Sequence, residues 1–177
     1  FYLFILCLSP ILIWIVIYQL ILDRKICINR RLYKENKLNN RIYARKCEVR
    51  EISNYKVAKY FLRYNHLFGV FINLVFNFHN SKLIGLYYND KLVYVSCFKK
   101  KKDSLYCFAM CSLTNYTVVG GASKTLKHIE QPITTISFRR STLYETLGFE
   151  EDGYCNLFEM LIGKHSKTGL FKYWKRG

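Results

Sequence analysis

The chain has 177 residues, with 28 lysines and arginines against 12 acidic residues, a formal net charge of +16. Because 51% of its residues are hydrophobic and only two are prolines, a disordered or collagen-like chain is excluded and a packed domain is expected. A positive surplus of this size repels itself in a compact fold, so we expect an anionic partner, either nucleic acid or an acidic membrane surface.

Residue usage and cysteine spacing indicate the compartment. Phe, Tyr, Ile, Asn and Lys are abundant while Gly, Ala and Pro are scarce, which is the bias of an AT-rich genome such as that of an organelle. The seven cysteines are odd in number and irregularly spaced, which favours free thiols in a reducing compartment over a disulfide framework. Cys107 and Cys111 could bind zinc with His128, but one such pair is a weak signal, so no metal site is predicted.

Residues 1–22 carry no charge and, as a helix, are long enough to cross a bilayer. Basic residues follow at once, and by the positive-inside rule they place the rest of the chain on the cytoplasmic or matrix side. We therefore predict an N-terminal transmembrane helix. The alternative is an apolar arm buried in a large assembly.

Residues 23–46 form a basic segment, predicted as a linker or arm, in which Tyr33 and Tyr43 are interleaved with cations. Such a mixture suits nucleic-acid phosphates and bases, and directly after an apolar span it also suits anionic lipid headgroups. A solvated linker is the third interpretation of the same pattern.

Residues 47–162 are predicted to form a compact α/β domain. Its expected helices are an amphipathic one at 55–66 and shorter ones at 122–129 and 142–147, while 70–78 alternates in part like a strand. Asn89-Asp90-Lys91 is a hairpin signal between two of the strands. The expected strands are 47–53, 83–88, 92–98, 105–113, 116–119, 133–138 and 155–161.

Two segments of this domain resemble motifs of a known superfamily. Residues 143–149 have the sequence LYETLGF, which is similar to the L-Y-x-x-L-G-F element of the GCN5-related N-acetyltransferases. Residues 118–123 (VVGGAS) lie where that superfamily has its pyrophosphate-binding turn. The resemblance implies an acetyltransferase-like α/β fold, a mixed and mostly antiparallel sheet flanked by helices, preceded here by the N-terminal apolar helix.

A narrower resemblance covers roughly residues 47–160. It is carried by HLFG at 66–69, IGLY at 84–87, VVGGASK at 118–124 and ISFRRS at 136–141. These pieces are similar to a domain of phage and mobile-intron homing-endonuclease-like proteins.

The acetyltransferase resemblance implies a phosphate- or coenzyme-binding turn and a general acid. Tyr144 would protonate a thiolate, and its alternative role is that of an aromatic side chain packed on an amphipathic helix. The turn itself can equally be a tight strand-to-helix connection that needs a positive φ, with Ser123 as the helix cap. The candidate turn residues are Val119, Gly120, Gly121, Ala122, Ser123 and Lys124.

Departures from both patterns favour a fold that has lost its chemistry. Thr117 stands where the acetyltransferase pattern has Arg or Gln, and Phe138 stands where the endonuclease-associated domain is expected to have Asp. No Glu, His or Cys is placed as a general base. We therefore predict no catalytic residue, with Tyr144 as the remaining candidate, and no cofactor, with coenzyme A as the one group considered.

Residues 163–177 form a basic tail that also contains aromatic residues, which predicts an arm for binding nucleic acid rather than a plain disordered terminus. The nucleic-acid-binding candidates over the whole chain are Arg24, Lys25, Arg30, Arg31, Lys34, Arg45, Lys46, Lys99, Lys100, Lys101, Lys102, Arg139, Arg140, Lys172, Trp174, Lys175 and Arg176.

Together these observations favour a non-catalytic, RNA-binding structural component of an organellar ribonucleoprotein such as the mitochondrial ribosome. Its expected partners are ribosomal RNA, neighbouring proteins of a large assembly and a membrane through residues 1–22, with no small-molecule substrate. The expected location is the matrix side of the inner mitochondrial membrane, for an organelle-encoded chain. Two alternatives remain open: an active acetyltransferase or homing-endonuclease-type DNA enzyme, and a membrane-anchored accessory subunit of a respiratory complex.

Overall fold

The computed structural model describes residue 14 and residues 40–66, 69–137, 142–155 and 171–177. No helix within this part of the chain is long and apolar enough to cross a membrane. Apart from Trp14, the predicted transmembrane segment 1–22 lies outside the described residues, as does the basic segment up to residue 39.

A mixed sheet of seven strands, in the order β2-β3-β4-β5-β7-β9-β8, forms the centre of the described domain. All neighbouring strands in it are antiparallel except β5 and β7, which are parallel. This confirms the predicted mixed, mostly antiparallel sheet. The strands are β2 (Glu48–Glu51), β3 (Ser81–Tyr88), β4 (Lys91–Lys100), β5 (Leu105–Ser112), β7 (Ile133–Ser137), β8 (Glu150–Cys155) and β9 (Phe171–Arg176).

A separate parallel ladder lies beside this sheet and joins β1 (Arg41–Tyr43) to β6 (Thr117–Val119). A 3-10 turn (Ala44–Lys46) connects β1 to β2. The described α-helices after residue 40 are α1 (Tyr55–Asn65), α2 (Gly69–Val75), α3 (Gly121–Lys127) and α4 (Thr142–Thr146).

Two apolar layers cover the two faces of the sheet. On one face, Ala58, Phe61 and Leu62 of α1 pack with the buried Val95 and Cys97 of β4. The other face buries the second core, which includes Phe98, Leu126, Ile133, Phe149 and Trp174. The β3–β4 hairpin turns at Asn89 and Asp90, which have φ angles of 48° and 58°, so the predicted hairpin is confirmed and its turn residues are those that tolerate positive φ.

The structure differs from the predicted elements in four places, of which three are small. The partly alternating stretch that begins at residue 70 is helical up to Val75, with Ile72 buried in one layer of the core and Leu74 exposed. The last part of the basic segment 23–46 is not a linker, because Arg41–Tyr43 are hydrogen-bonded to β6. The predicted last strand, 155–161, begins where β8 ends at Cys155, and its remainder lies outside the described residues.

The largest difference concerns the C-terminal tail. Phe171–Arg176 form β9, a strand inserted between β7 and β8, and Phe171, Tyr173 and Trp174 are buried. The prediction of a basic arm is therefore wrong for these residues. Tyr173 and Trp174 are consecutive and therefore face opposite sides of the strand, and both are buried, while Lys175 stays exposed.

Candidate active site

An opening between two parallel strands is the main irregularity of the sheet. β5 and β7 pair at three positions, from Leu105↔Ile133 to Cys107↔Thr135. β5 then continues to Ser112 and β7 to Ser137 without further pairing between them. The two strands therefore separate beyond Cys107 and Thr135 and leave a wedge between their carboxyl ends.

A β-bulge lies at the point where the wedge begins. Cys97 of β4 pairs with Ala109, but the next residue, Phe98, pairs with Cys107, so Phe108 is an extra residue on β5. A bulge bends its strand and removes one residue from the ladder. Phe108 consequently has no residue paired with it on β4, and it lies just beyond the three positions at which β5 pairs with β7.

Tyr144 of α4 is held at the same point. Its phenol lies beside the side chain of Thr135, the last residue of β7 that pairs with β5. Its ring stacks on Trp174, with centroids 5.7 Å apart, and meets Phe149 edge to face at 5.6 Å. Helix α4 ends with Gly148 at φ 76°, and the Phe149 N–H donates to the Tyr144 carbonyl (2.9 Å), which brings Phe149 back against the tyrosine.

The groups around the wedge are neutral. Burial, together with the nearby Cys107 thiol, raises the pKa of Tyr144 to about 12, against a smaller lowering by the hydrogen bond with Thr135. Burial also raises the pKa of Cys107 to about 12, so this thiol is not an activated nucleophile. The Thr135 hydroxyl donates to the Cys107 carbonyl (3.0 Å), and the Ser137 hydroxyl accepts from the Trp174 indole N–H (2.9 Å).

The predicted glycine turn lies between β6 and α3. Gly120 has a φ of 77°, a conformation that strains any residue with a side chain. A Cβ on Gly121 would lie 2.9 Å from the Tyr94 ring, so this glycine is needed for close packing on β4. Gly120 is the N-terminal cap and no side chain caps the helix, so the expected capping by Ser123 is wrong.

Lys124, one of the predicted phosphate-binding residues, has a structural role. Its ammonium donates to the Ala44 carbonyl (3.0 Å) and to the Cys47 carbonyl, and so ties the 3-10 turn to α3. Ala122 is buried beneath the turn, whereas Val119 is 42% exposed. Of the predicted set, Gly120 and Val119 are therefore the residues that the turn presents to solvent.

A cavity of about 490 Å³ adjoins this turn. The described residues that line it include the cations Arg45, Lys124 and Lys127 and no acidic residue. First-turn N–H groups of a helix have no intrahelical acceptor, so donors and positive charge occur together here. Arg45 was predicted as a nucleic-acid contact, and the structure places it in this cavity with its guanidinium 5.2 Å from the centroid of the Tyr43 ring.

The other predicted nucleic-acid contacts are dispersed. Trp174 is 1% exposed and cannot stack on a base, which corrects its predicted role. Lys101 lies between the Tyr106 and Tyr173 rings at 4.9 and 5.6 Å, and Lys172 forms an ion pair with Glu151. The Arg176 guanidinium donates to the Leu126 carbonyl at 2.9 Å.

The remaining members of that set fall into two groups. Lys46, Lys99, Lys100, Lys102 and Lys175 are exposed. The other predicted contacts lie outside the described residues: Arg24, Lys25, Arg30, Arg31, Lys34, Arg139 and Arg140.

Two features of the wedge escape prediction from the sequence. Thr135 stands in an ordinary β-rich run, and only its register beside Cys107 gives it a role at Tyr144. The bulge at Phe108 has no glycine or other marker in the sequence. The five described cysteines are buried free thiols, and no three His, Cys, Asp or Glu side chains of the described residues come together as a metal site.

Comparison with solved structures identifies the fold. A GNAT family acetyltransferase from Elizabethkingia anophelis with acetyl-CoA bound superposes with a TM-score of 0.55 and 11% identity over 73% of this chain and 97% of its own. An acetyltransferase from Bacillus subtilis in complex with CoA gives 0.52 and 11% over 73% and 97%. The ribosomal-protein-S18-alanine N-acetyltransferase from Escherichia coli gives 0.54 and 14% over 73% and 92%. No protein-family model and no curated protein matches the sequence.

The described domain therefore has the fold of the GCN5-related N-acetyltransferases, as the resemblance at residues 118–123 and 143–149 implied. The same comparisons correct the main functional prediction. The similar structures are acetyltransferases, and two of them hold CoA or acetyl-CoA, which contradicts a non-catalytic ribosomal component and favours the alternative of an acetyltransferase.

Proposed function

We propose that the chain is an acetyltransferase that moves the acetyl group of acetyl-CoA to an amine, with the reaction at the wedge between β5 and β7. One observation carries the proposal. The end of the β5–β7 pairing, the bulge at Phe108 and the hydroxyl of Tyr144 all meet at the Cys107↔Thr135 pair.

The chemistry follows from the groups at that point. An amine nitrogen attacks the thioester carbonyl carbon, a C–N bond forms and the C–S bond breaks. The thiolate sulfur takes a proton, and the nitrogen releases one to solvent, from which the proton donor is restored. We assign the backbone N–H at the bulge residue Phe108 as a donor for the carbonyl oxygen as negative charge develops on it. Because its pKa is raised to about 12, Tyr144 stays protonated at neutral pH and supplies the proton for the sulfur.

The residues at the glycine turn fit the anionic part of the substrate. Gly120 is exposed and brings bare backbone to the surface, and Arg45 and Lys127 add positive charge beside it. Lys124 contributes its charge to the cavity while its ammonium remains bonded to the backbone of residues 44 and 47. The wedge lies at the end of β5 that leads to this turn, so one extended substrate can contact both.

The test combines binding and turnover by the purified full chain. We expect acetyl-CoA to bind in calorimetry and its thiol to be released in the presence of an amine panel that includes peptide N-termini and polyamines. Tyr144→Phe should lower the turnover rate roughly 100- to 10,000-fold with little change in acetyl-CoA affinity. Tyr60→Phe, which removes the hydroxyl of an exposed tyrosine on α1, should leave both unchanged. Failure of the full chain to bind acetyl-CoA would show the proposal to be wrong.

A further inference from the structure

A second cavity, of about 370 Å³, lies beside the β1–β6 ladder and does not include the wedge or the glycine turn. The aliphatic residues that line it, Val93 and Ile42, are buried, with 1% and 8% of their surface exposed. Strand β1 forms one side, and the end of the β3–β4 hairpin forms the other. Its volume lies in the range of about 300–1,000 Å³ that small-molecule sites occupy.

The walls of this cavity combine three tyrosines with three cations. No acidic residue is among the described residues that line it. The tyrosines are Tyr43, Tyr88 and Tyr116, and the cations are Arg41, Lys46 and Lys91.

The backbone holds these side chains together from two directions. Tyr88 and Lys91 are cross-strand partners at the end of the β3–β4 hairpin, and the Lys91 ammonium lies 5.2 Å from the centroid of the Tyr116 ring. On the other side, Arg41 pairs with Thr117 in the ladder, and the Thr117 N–H donates to the Asn40 carbonyl at 3.0 Å. Aromatic surface and positive charge are therefore adjacent on a hydrogen-bonded frame.

We propose that this cavity binds a nucleoside phosphate, with the base against the tyrosine rings and the phosphates at the cations. Bases stack on aromatic side chains through their π-faces, and Lys and Arg neutralise phosphate charge. A simple inorganic anion would not use the three rings, and an apolar ligand would not use the three cations. The proposal does not depend on acetyl transfer at the wedge.

Two sources can supply this chemistry. Tyr43 lines both this cavity and the one at the glycine turn, so the nucleotide half of coenzyme A could reach it from the turn. A free nucleotide could occupy it alone. Adenosine 3′,5′-bisphosphate, ATP and GTP, each titrated with and without saturating CoA, distinguish the two. Competition by CoA assigns the site to the coenzyme, and binding that CoA leaves unchanged assigns it to a free nucleotide.

Calorimetry on the full chain tests the site itself, with two pairs of matched variants. Lys91→Glu and Lys100→Glu reverse exposed charges at opposite ends of β4, and only the first touches the cavity. Tyr43→Leu and Tyr60→Leu each remove an exposed ring, and only the first lines the cavity. We expect the two cavity variants to weaken nucleotide binding roughly tenfold or more and the two controls to leave it unchanged.

Three outcomes would overturn the proposal. They are the absence of binding by all three nucleotides, equal losses in cavity and control variants, and binding of inorganic tripolyphosphate as tight as that of ATP. Circular dichroism of each variant establishes that it is folded before titration. Loss of acetyltransferase activity with nucleotide binding intact would count against the proposed function alone.

Discussion

The wedge and the glycine turn belong to one candidate site but differ in burial and charge. At the wedge, Tyr144 lies among Thr135, Cys107 and the buried ring of Trp174, and all of these groups are neutral. At the turn, Val119 and Gly120 are exposed, and the charged residues among the described ones that line the adjoining cavity are all cations. Exclusion of water raises the pKa of a phenol further, whereas a phosphate site requires accessible positive charge. Substitutions at the wedge should therefore change stability and proton affinity, and substitutions at the turn should change ligand affinity.

The largest effect is expected from Trp174→Ala. This change removes a fully buried indole, its stacking on Tyr144 and its hydrogen bond to Ser137, and should lower the free energy of unfolding by about 3–5 kcal/mol. Urea denaturation measures the loss. Lys175→Ala, at the next and exposed position of β9, should change stability by less than about 0.5 kcal/mol. Equal small effects of both changes would contradict the place of β9 in the sheet.

The second prediction tests whether the glycine turn packs against the Tyr94 ring of β4. Gly121→Ala places a Cβ 2.9 Å from the Tyr94 ring and should destabilise the domain by about 1–3 kcal/mol. In a Tyr94→Leu background, Gly121→Ala should lower the free energy of unfolding by less, because the ring that the new Cβ meets is absent. A double-mutant cycle measures this coupling, and additive effects would show that the turn is not packed against Tyr94.

These contacts also show which features of the structure could be predicted from the sequence. Local chemistry predicted the Asn89-Asp90 turn, the positive φ in the glycine turn and the α4 helix closed by Gly148, because each depends on residues close in the chain. The motif at 143–149 likewise led to Tyr144 and to the correct fold. These features need no knowledge of distant contacts.

The remaining features depend on pairing between distant segments. Phe171–Arg176 have the composition of a basic arm, and only their insertion between β7 and β8 shows that the aromatic side chains belong to the core. Lys124 has the position of a phosphate ligand in the turn motif, but its contacts with residues 44 and 47 arise because β1 is paired with β6. The bulge at Phe108 is a mismatch of register between β4 and β5, which no residue of β5 indicates.

The third prediction concerns pH. The folded state holds the Tyr144 proton more tightly than the unfolded state, since its pKa is raised to about 12 from an ordinary value of about 10. This stabilisation is complete below the unfolded pKa and is lost as the pH rises from 10 toward 12. Between about pH 9 and 11, the wild type should lose about 1 kcal/mol relative to Tyr144→Phe. Urea denaturation of both proteins at each pH measures this difference. Parallel pH curves would show that Tyr144 is not buried at the wedge.

The smallest effect is expected at the turn, from Lys127→Ala. Removing one exposed cation from the cavity should weaken acetyl-CoA binding about two- to fivefold at low salt, with unchanged stability. The difference should shrink at about 1 M salt, where the screening length falls to about 3 Å. Lys56→Ala, an exposed cation on α1 at the opposite face of the sheet, is the control and should leave binding unchanged.

Equal weakening by both variants would mean that net charge, rather than the turn, attracts the coenzyme. An effect of Lys127→Ala that does not depend on salt would mean that Lys127 contributes by packing. A salt-dependent loss confined to Lys127 would place the anionic part of the substrate beside Gly120, apart from the neutral wedge.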